Sequence, residues 1–350
     1  EIKTRTGDWT KHVEAYRQSI RNLARQGVGT VCYNFMPVID WTRTDLYYKL
    51  PDGSLSLRFD ATEFAAFDLF ILRRQDAELE YTPERIEAAR KCHEAMDEAA
   101  REKLTRVIIA GLPGAEESYT LDMFRAALAK YRGVDRNEFR NRLGEFLDAV
   151  TPIAEEAGVK LAIHPDDPPR SLLGLPRIVS TADDARWILD RVESPNNGLT
   201  FCTGCYGVRP DNDLVAMARE FADRIHFLHL RSTKREDDPE SFFEADHLAG
   251  HRGRTQDETH GIQTQLVTRL EHSALDARVV DERAIRRVEI GDQQSFGHDL
   301  ETRMLARNFF SGHRNITIRL ASDQRIVGDR EVFAEGRSGH AAQGEARQRL

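Results

Sequence analysis

Gly158-Val159-Lys160-Leu161-Ala162-Ile163-His164, followed at once by Pro165-Asp166-Asp167-Pro168-Pro169-Arg170, is the stretch that decides the fold. A short apolar run after a glycine stop reads as a strand buried on both faces of a parallel sheet. Upstream, residues from about 136 to 156 place Phe139, Leu143, Leu147 and Val150 at helical spacing. Downstream, Ser180 and Asp183 open a helix carrying Trp187, Ile188 and Val192, and Gly198–Cys202 follows as another strand. A helix from about Asp213 to Asp223 then feeds the run Ile225-His226-Phe227-Leu228-His229-Leu230. The same unit stands near the start of the chain. Val13, Tyr16, Ile20, Leu23 and Ala24 form one helical face ended by Gly27, and residues 28–35 read as the first strand. Strands alternating with helices imply an α/β protein with right-handed crossovers, either a barrel or a doubly wound sheet. No Gly-x-Gly-x-x-Gly and no Walker loop follows any strand, which weighs against a nucleotide-binding doubly wound fold.

Between the first two strands lies a long insertion with its helices, residues 39–157. It holds a hairpin turning at Pro51-Asp52-Gly53, a helix capped by Thr82-Pro83-Glu84, and Val107–Gly111, readable as strand or helix. Insertions of this length usually shape a site.

Composition sets the outer limits. The formal charge of −8 argues against general affinity for nucleic acid or acidic membranes. No apolar run approaches the ~20 residues of a bilayer span. Four cysteines are too few for a disulfide scaffold, and a reducing, cytoplasmic setting follows. The start, Glu1-Ile2-Lys3, lacks Met and reads as beginning part-way through a larger protein. Near residue 250 the composition changes. All eight Lys, all 12 Pro, and every Trp, Tyr and Cys precede that point, while residues 251–350 hold 16 Arg and six of the 12 His. That tail is expected to be foreign or frameshifted and poorly ordered; the alternative is an ordinary Arg-rich domain.

Three successive strands end in residues of metal-ligand type, His164, Cys202 and His229, about one βα unit apart. In a barrel this spacing brings them to one C-terminal rim, where such folds place their chemistry. Imidazole and thiolate donors suit Zn²⁺, Fe²⁺ or similar ions better than Mg²⁺. Taken singly, each has a plain structural reading. Cys202-Thr203-Gly204-Cys205 also matches C-x-x-C. A thioredoxin-type motif belongs at a helix N-terminus early in its fold, so redox chemistry is the weaker reading here. Arg231 is placed to hold a carboxylate, against an ordinary ion pair as the alternative. Arg235-Glu236-Asp237-Asp238 reads as a solvated loop.

Longer motifs carry a resemblance. Residues 33–45 (YNFMPVIDWTRTD), 109–117 (IAGLPGAEE), 164–169 (HPDDPP), 174–180 (GLPRIVS), 201–204 (FCTG) and 229–233 (HLRST) occur in the order found in the mannonate dehydratases. The chain resembles that family over about residues 1–250. The resemblance implies a xylose-isomerase-like TIM (β/α) barrel, incomplete in this chain, and the dehydration of D-mannonate to 2-dehydro-3-deoxy-D-gluconate in hexuronate catabolism. It implies His164, Cys202 and His229 as ligands of Fe²⁺ or Mn²⁺, with Asn34, Arg43, Asp166 and Arg231 lining the substrate site. The partner implied is a small sugar acid, with a homo-oligomer left open. Family members carry further N-terminal strands and an Arg-Pro-Asp-His-Gly segment whose Asp and His serve metal and catalysis. Neither is found here, so the catalytic groups are unassigned and the chain is expected to be inactive or nearly so. Residue 205 is Cys where a small polar residue is expected. A sugar isomerase or epimerase of the same fold and a non-catalytic sugar-acid binder are the alternatives.

Overall fold

Helix α1 (Trp9–Arg25) is capped by Asp8, whose side chain accepts from the Lys11 N–H, and ends where Gly27 takes a left-handed φ of +80°. The computed structural model describes residues 1–110 and 120–246. The tail from 251 and the motif residues 111–117 lie outside them. After α1 comes β1 (Thr30–Tyr33), then the hairpin β2 (Asp45–Lys49) and β3 (Leu55–Phe59). The helices α2 (Ala61–Ala66), α3 (Pro83–Ala95), α4 (Glu98–Ala110) and α5 (Leu121–Ala129) complete the insertion. α6 (Arg136–Ala157) leads through left-handed Gly158 into β4 (Lys160–Ile163). α7 (Ala182–Arg191), β5 (Asn197–Cys202), α8 (Thr203–Val208), α9 (Leu214–Glu220) and β6 (Ile225–His229) continue the alternation. β7 (Thr233–Arg235) and β8 (Phe242–Glu244) close the described chain.

β1, β4, β5 and β6 form one parallel sheet in that order, with Tyr33 beside Ile163 and Cys202 beside His229. Sequential order with helices between neighbours is the wall of a (β/α) barrel, and it brings the strand ends into line. Every residue of β5 is buried, as are Leu161–Ile163 of β4. The apolar faces of α1 and α6 cover β1 and β4 through an aromatic cluster. Tyr16 meets the Phe146 ring edge-on at 5.1 Å, and Phe35 lies 5.2 Å from Phe139 and 5.8 Å from Phe146. Among the described residues no helix is long and apolar enough to cross a membrane.

Several local expectations need correction. The α7 cap is Thr181 paired with Asp184 in a capping box, one residue beyond Ser180 and Asp183. Ser180 is unavailable because its hydroxyl donates to the Asp166 carboxylate at 2.8 Å. The ambiguous residues 107–110 are the last turn of α4. Residues 235–238 are not a free solvated loop. Arg235 ends β7, Glu236 takes two hydrogen bonds from Arg58 at 2.6 and 2.7 Å, and Asp238 takes one from Arg85 at 2.7 Å. β7 and β8 add to the hairpin, giving an antiparallel sheet in the order β2-β3-β8-β7. Nearly two hundred residues separate β3 from β8, so local patterning could not reveal the pairing.

Gly198 of β5 lies against β6. A Cβ there would collide with the Arg224 carbonyl and the His226 ring, so glycine is needed for the close approach. His226 Nδ1 lies 2.8 Å from the Leu161 carbonyl and donates to it. Burial pushes the His226 pKa down to about 4. The unfolded chain therefore binds the extra proton first, and stability falls as pH drops from about 6.5 towards 4. From the size of that shift the loss approaches 3 kcal/mol, at about 1.4 kcal/mol per pKa unit. Urea unfolding at pH 7 and at pH 4 should show that increment in the native protein and lose it in His226→Asn, which keeps a donor but does not titrate.

Candidate metal centre and its buried charge network

At the C-terminal ends of the parallel strands, His164 follows β4, Cys202 ends β5 and His229 ends β6. His164 Nδ1 lies 2.8 Å from the Pro165 carbonyl, which accepts its proton. That contact leaves Nε2 as the lone-pair nitrogen, and it faces His229 Nδ1 at 3.3 Å. Cys202 is fully buried beside both rings. Burial alone would push its thiol up, but the Cys205 hydrogen bond and the charges of His229 and Arg231 outweigh it and hold the thiol well below its usual range. Burial pulls His229 down, and the Cys202 sulfur more than compensates, so its pKa is raised.

The three donor atoms within 4.8 Å of one another belong to His164, Cys202 and Cys205. Sequence alone did not place Cys205 in this group, although the C-x-x-C pattern was noted. Cys202 caps the short helix α8 and Cys205 lies in its first turn, so the motif does stand at a helix N-terminus. His229, expected as a ligand, stands outside this three-donor group and adjoins it through His164. Sulfur and imidazole donors fit a borderline or soft divalent ion and fit Mg²⁺ poorly. A surface hollow of about 320 Å³ between α1 and α6, lined by Gln18, Arg21 and Glu156 among others, contains none of these groups. Its size does not make it the site, because the convergent polar groups are elsewhere.

Around the cluster runs a network of buried charge. Arg43 donates to both Asp167 oxygens at 2.8 and 3.1 Å and to Glu244 at 2.7 Å, while its guanidinium stacks over Trp41 and Phe242. Arg231 donates to Asp167 and pairs with Glu244 at 3.1 Å. Its Nη2 is buried without a hydrogen-bond partner among the described residues. Burial would raise the Asp167 pKa, but Arg231 and Arg43 overcome it and hold the carboxyl below the carboxylate range. Gly204 makes room for this arginine, since a Cβ there would strike the Arg231 side chain.

The four residues expected to line the substrate site fall in different places. Arg231 reaches the cluster. Asn34 sits at the end of β1, where its side-chain oxygen lies 3.4 Å from Lys3 Nζ and from the Met36 N–H. Both terminal nitrogens of Arg43 are taken up by Asp167, Glu244 and the Thr42 carbonyl. Asp166 points into its own loop, accepting from the Val179 N–H at 2.7 Å and the Ser180 hydroxyl. Of the adjacent aspartates it is Asp167 that faces the arginines, a choice that only the path of the loop decides.

Removing one partner from a buried network strands the others. Asp167→Asn should leave Arg43 and Arg231 undercompensated and cost roughly 3–5 kcal/mol of stability. Chemical denaturation should read this, and a loss below ~1 kcal/mol would show the network to be dispensable.

The D-mannonate dehydratase (UxuA) family model matches residues 1–282, past the change in composition near 250. Mannonate dehydratases of Chromohalobacter salexigens and Saccharophagus degradans are 58% and 55% identical to the chain over 250 residues. Each alignment covers 71% of this chain and 64% and 63% of the relative, so the chain spans less than two thirds of the proteins it matches. A crystal structure of mannonate dehydratase from Streptococcus suis serotype 2 matches with a TM-score of 0.55 at 31% identity. That match covers 77% of this chain and 62% of the other. With strand order, strand-end donors and family model in agreement, the chain belongs to the D-mannonate dehydratase family.

Proposed function

We propose that the strand-end cluster serves the dehydration of D-mannonate to 2-dehydro-3-deoxy-D-gluconate and water. The observation that carries this reading is the meeting of His164, Cys202 and His229 beside Arg231, whose buried Nη2 is a donor without a partner. Removing the proton next to a carboxylate puts negative charge on that carboxylate, and the site needs fixed positive charge there. His164, Cys202 and His229 are the residues that would hold Fe²⁺ or Mn²⁺, an ion that stabilises the ene-diolate when bound.

Arg231 Nη2 supplies the directed donor for the substrate carboxylate. Asn34, at the neighbouring strand end, offers an amide for a sugar hydroxyl. Arg43 acts through Asp167, fixing the carboxylate that holds Arg231 in place, and Asp166 keeps the loop after β4 in shape. A small sugar acid is thus the proposed partner. The four cysteines are free thiols, which suits a reducing, cytoplasmic setting.

The test is anaerobic turnover of D-mannonate by the full chain with Fe²⁺ or Mn²⁺ added, detecting the 2-keto-3-deoxy product. The family match runs on to residue 282, beyond the point near 250 where the resemblance was expected to end. On that ground product should form, against the expectation of an inactive chain, and Cys202→Ala should lose both bound metal and turnover, the latter by roughly 100-fold or more. Folded, metal-loaded protein that forms no product would overturn the assignment of this activity to the chain. Undiminished metal content in Cys202→Ala would overturn the ligand assignment.

A further inference from the structure

Cys205 is the one cluster residue without a role so far, and its placement is specific. β5 ends at Cys202, α8 begins at once, and the i, i+3 spacing sets Cys202 and Cys205 on one face of the turn. Both side chains are fully buried, and the Cys205 N–H donates to Cys202 Sγ at 3.4 Å. Their sulfurs and a ring nitrogen of His164 lie within 4.8 Å of one another, and His164 Nε2 is 3.3 Å from His229 Nδ1. A tetrahedral ion with metal–nitrogen bonds near 2.0–2.1 Å and metal–sulfur bonds near 2.3 Å has donor–donor edges of roughly 3.3–3.8 Å. The two imidazoles already stand at such an edge. The two sulfurs stand with His164 in a three-donor group that His229 adjoins through His164, so a bound ion would draw the four donors in to such edges.

We propose that Cys205 is a further metal ligand, completing with His164, Cys202 and His229 a Cys₂His₂ donor set that takes a thiophilic divalent cation such as Zn²⁺ or Co²⁺ ahead of Mn²⁺. The proposal rests on the metal-centre reading above and adds to it the second sulfur and the ion preference. Two thiolates balance the charge of a divalent ion. Arg231 Nη1, 3.5 Å from Cys205 Sγ, supplies the N–H that a metal-bound sulfur commonly accepts. Each added sulfur shifts preference from oxygen-seeking Mn²⁺ towards Zn²⁺ and Co²⁺. Four protein ligands also close the tetrahedron, whereas catalytic sites keep one position open. Zn²⁺ held by all four groups is therefore expected to compete with the ion that supports turnover.

The experiment uses the full 350-residue chain, stripped of metal and reduced under anaerobic conditions. Co²⁺ is titrated in while the thiolate-to-cobalt charge-transfer absorption is followed, and X-ray absorption at the zinc edge of the Zn²⁺-loaded native chain counts sulfur neighbours directly. Two sulfurs are expected, with the charge-transfer intensity falling to about half in Cys205→Ser and Zn²⁺ affinity falling roughly tenfold or more, a larger loss than for Mn²⁺. One sulfur neighbour in the native chain, with a cobalt band that Cys205→Ser leaves intact and Cys202→Ser removes, overturns the proposal and leaves the metal centre standing. Folded native protein that gives no thiolate band at all overturns both. The sulfur count needs no variant, so it decides the matter even if Cys205→Ser fails to fold.

Discussion

Arg43 and Arg231 share Asp167 and Glu244, and the parts of the molecule that matter for chemistry meet at these four side chains. Arg43 comes from the segment after β1, Asp167 from the loop after β4, Arg231 from just beyond β6 and Glu244 from β8. Two positive and two negative groups cancel, which makes burial tolerable where a single charge would be prohibitive. Because each carboxylate meets both arginines, no one segment can shift alone. The network fixes the loops that frame the strand ends, and the strand ends fix the donors.

The parallel sheet does the coarse placement. Register sets Cys202 beside His229 and runs β4 into His164, so the donors arrive together without any loop selecting them. Fine placement is made by hydrogen bonds at the next layer. Pro165 O fixes the His164 tautomer, and the α8 turn aligns two sulfurs. Thr203 donates to the Arg231 carbonyl at 2.7 Å and Thr233 to the Gly204 carbonyl at 3.1 Å, clasping α8 to the segment after β6. Side chains held this way keep their geometry because their supports are themselves bonded.

The antiparallel sheet gives the insertion a purpose that its length alone only hinted at. β2 and β3 would be a marginal hairpin in isolation. Paired with β8, and buttressed where Phe59 stacks on Phe242 at 5.6 Å, they become a wall that delivers Glu244 to both arginines. Arg58–Glu236 braces β3 against the turn between β7 and β8, and Arg85–Asp238 ties that turn to α3.

The sequence by itself determined the alternation of strands and helices, the family, and the alignment of His164, Cys202 and His229. The alternation and the alignment follow from periodicity and one-unit spacing, and the family from the likeness of whole motifs, all of which are local or nearly so. Caps and stops at Asp8, Thr82, Gly27 and Gly158 were legible for the same reason. Tertiary structure alone decided which of two adjacent aspartates faces the arginines, that Ser180 is spent on Asp166 so that Thr181 caps α7, and that β7 and β8 extend a hairpin far upstream. It also brought the Cys205 sulfur close to Cys202 and His164. The physical reason is common to all of them. A polar group's role is set by the partner that reaches it in space, and those partners lie far away along the chain or differ by a rotation of the backbone that residue type does not record.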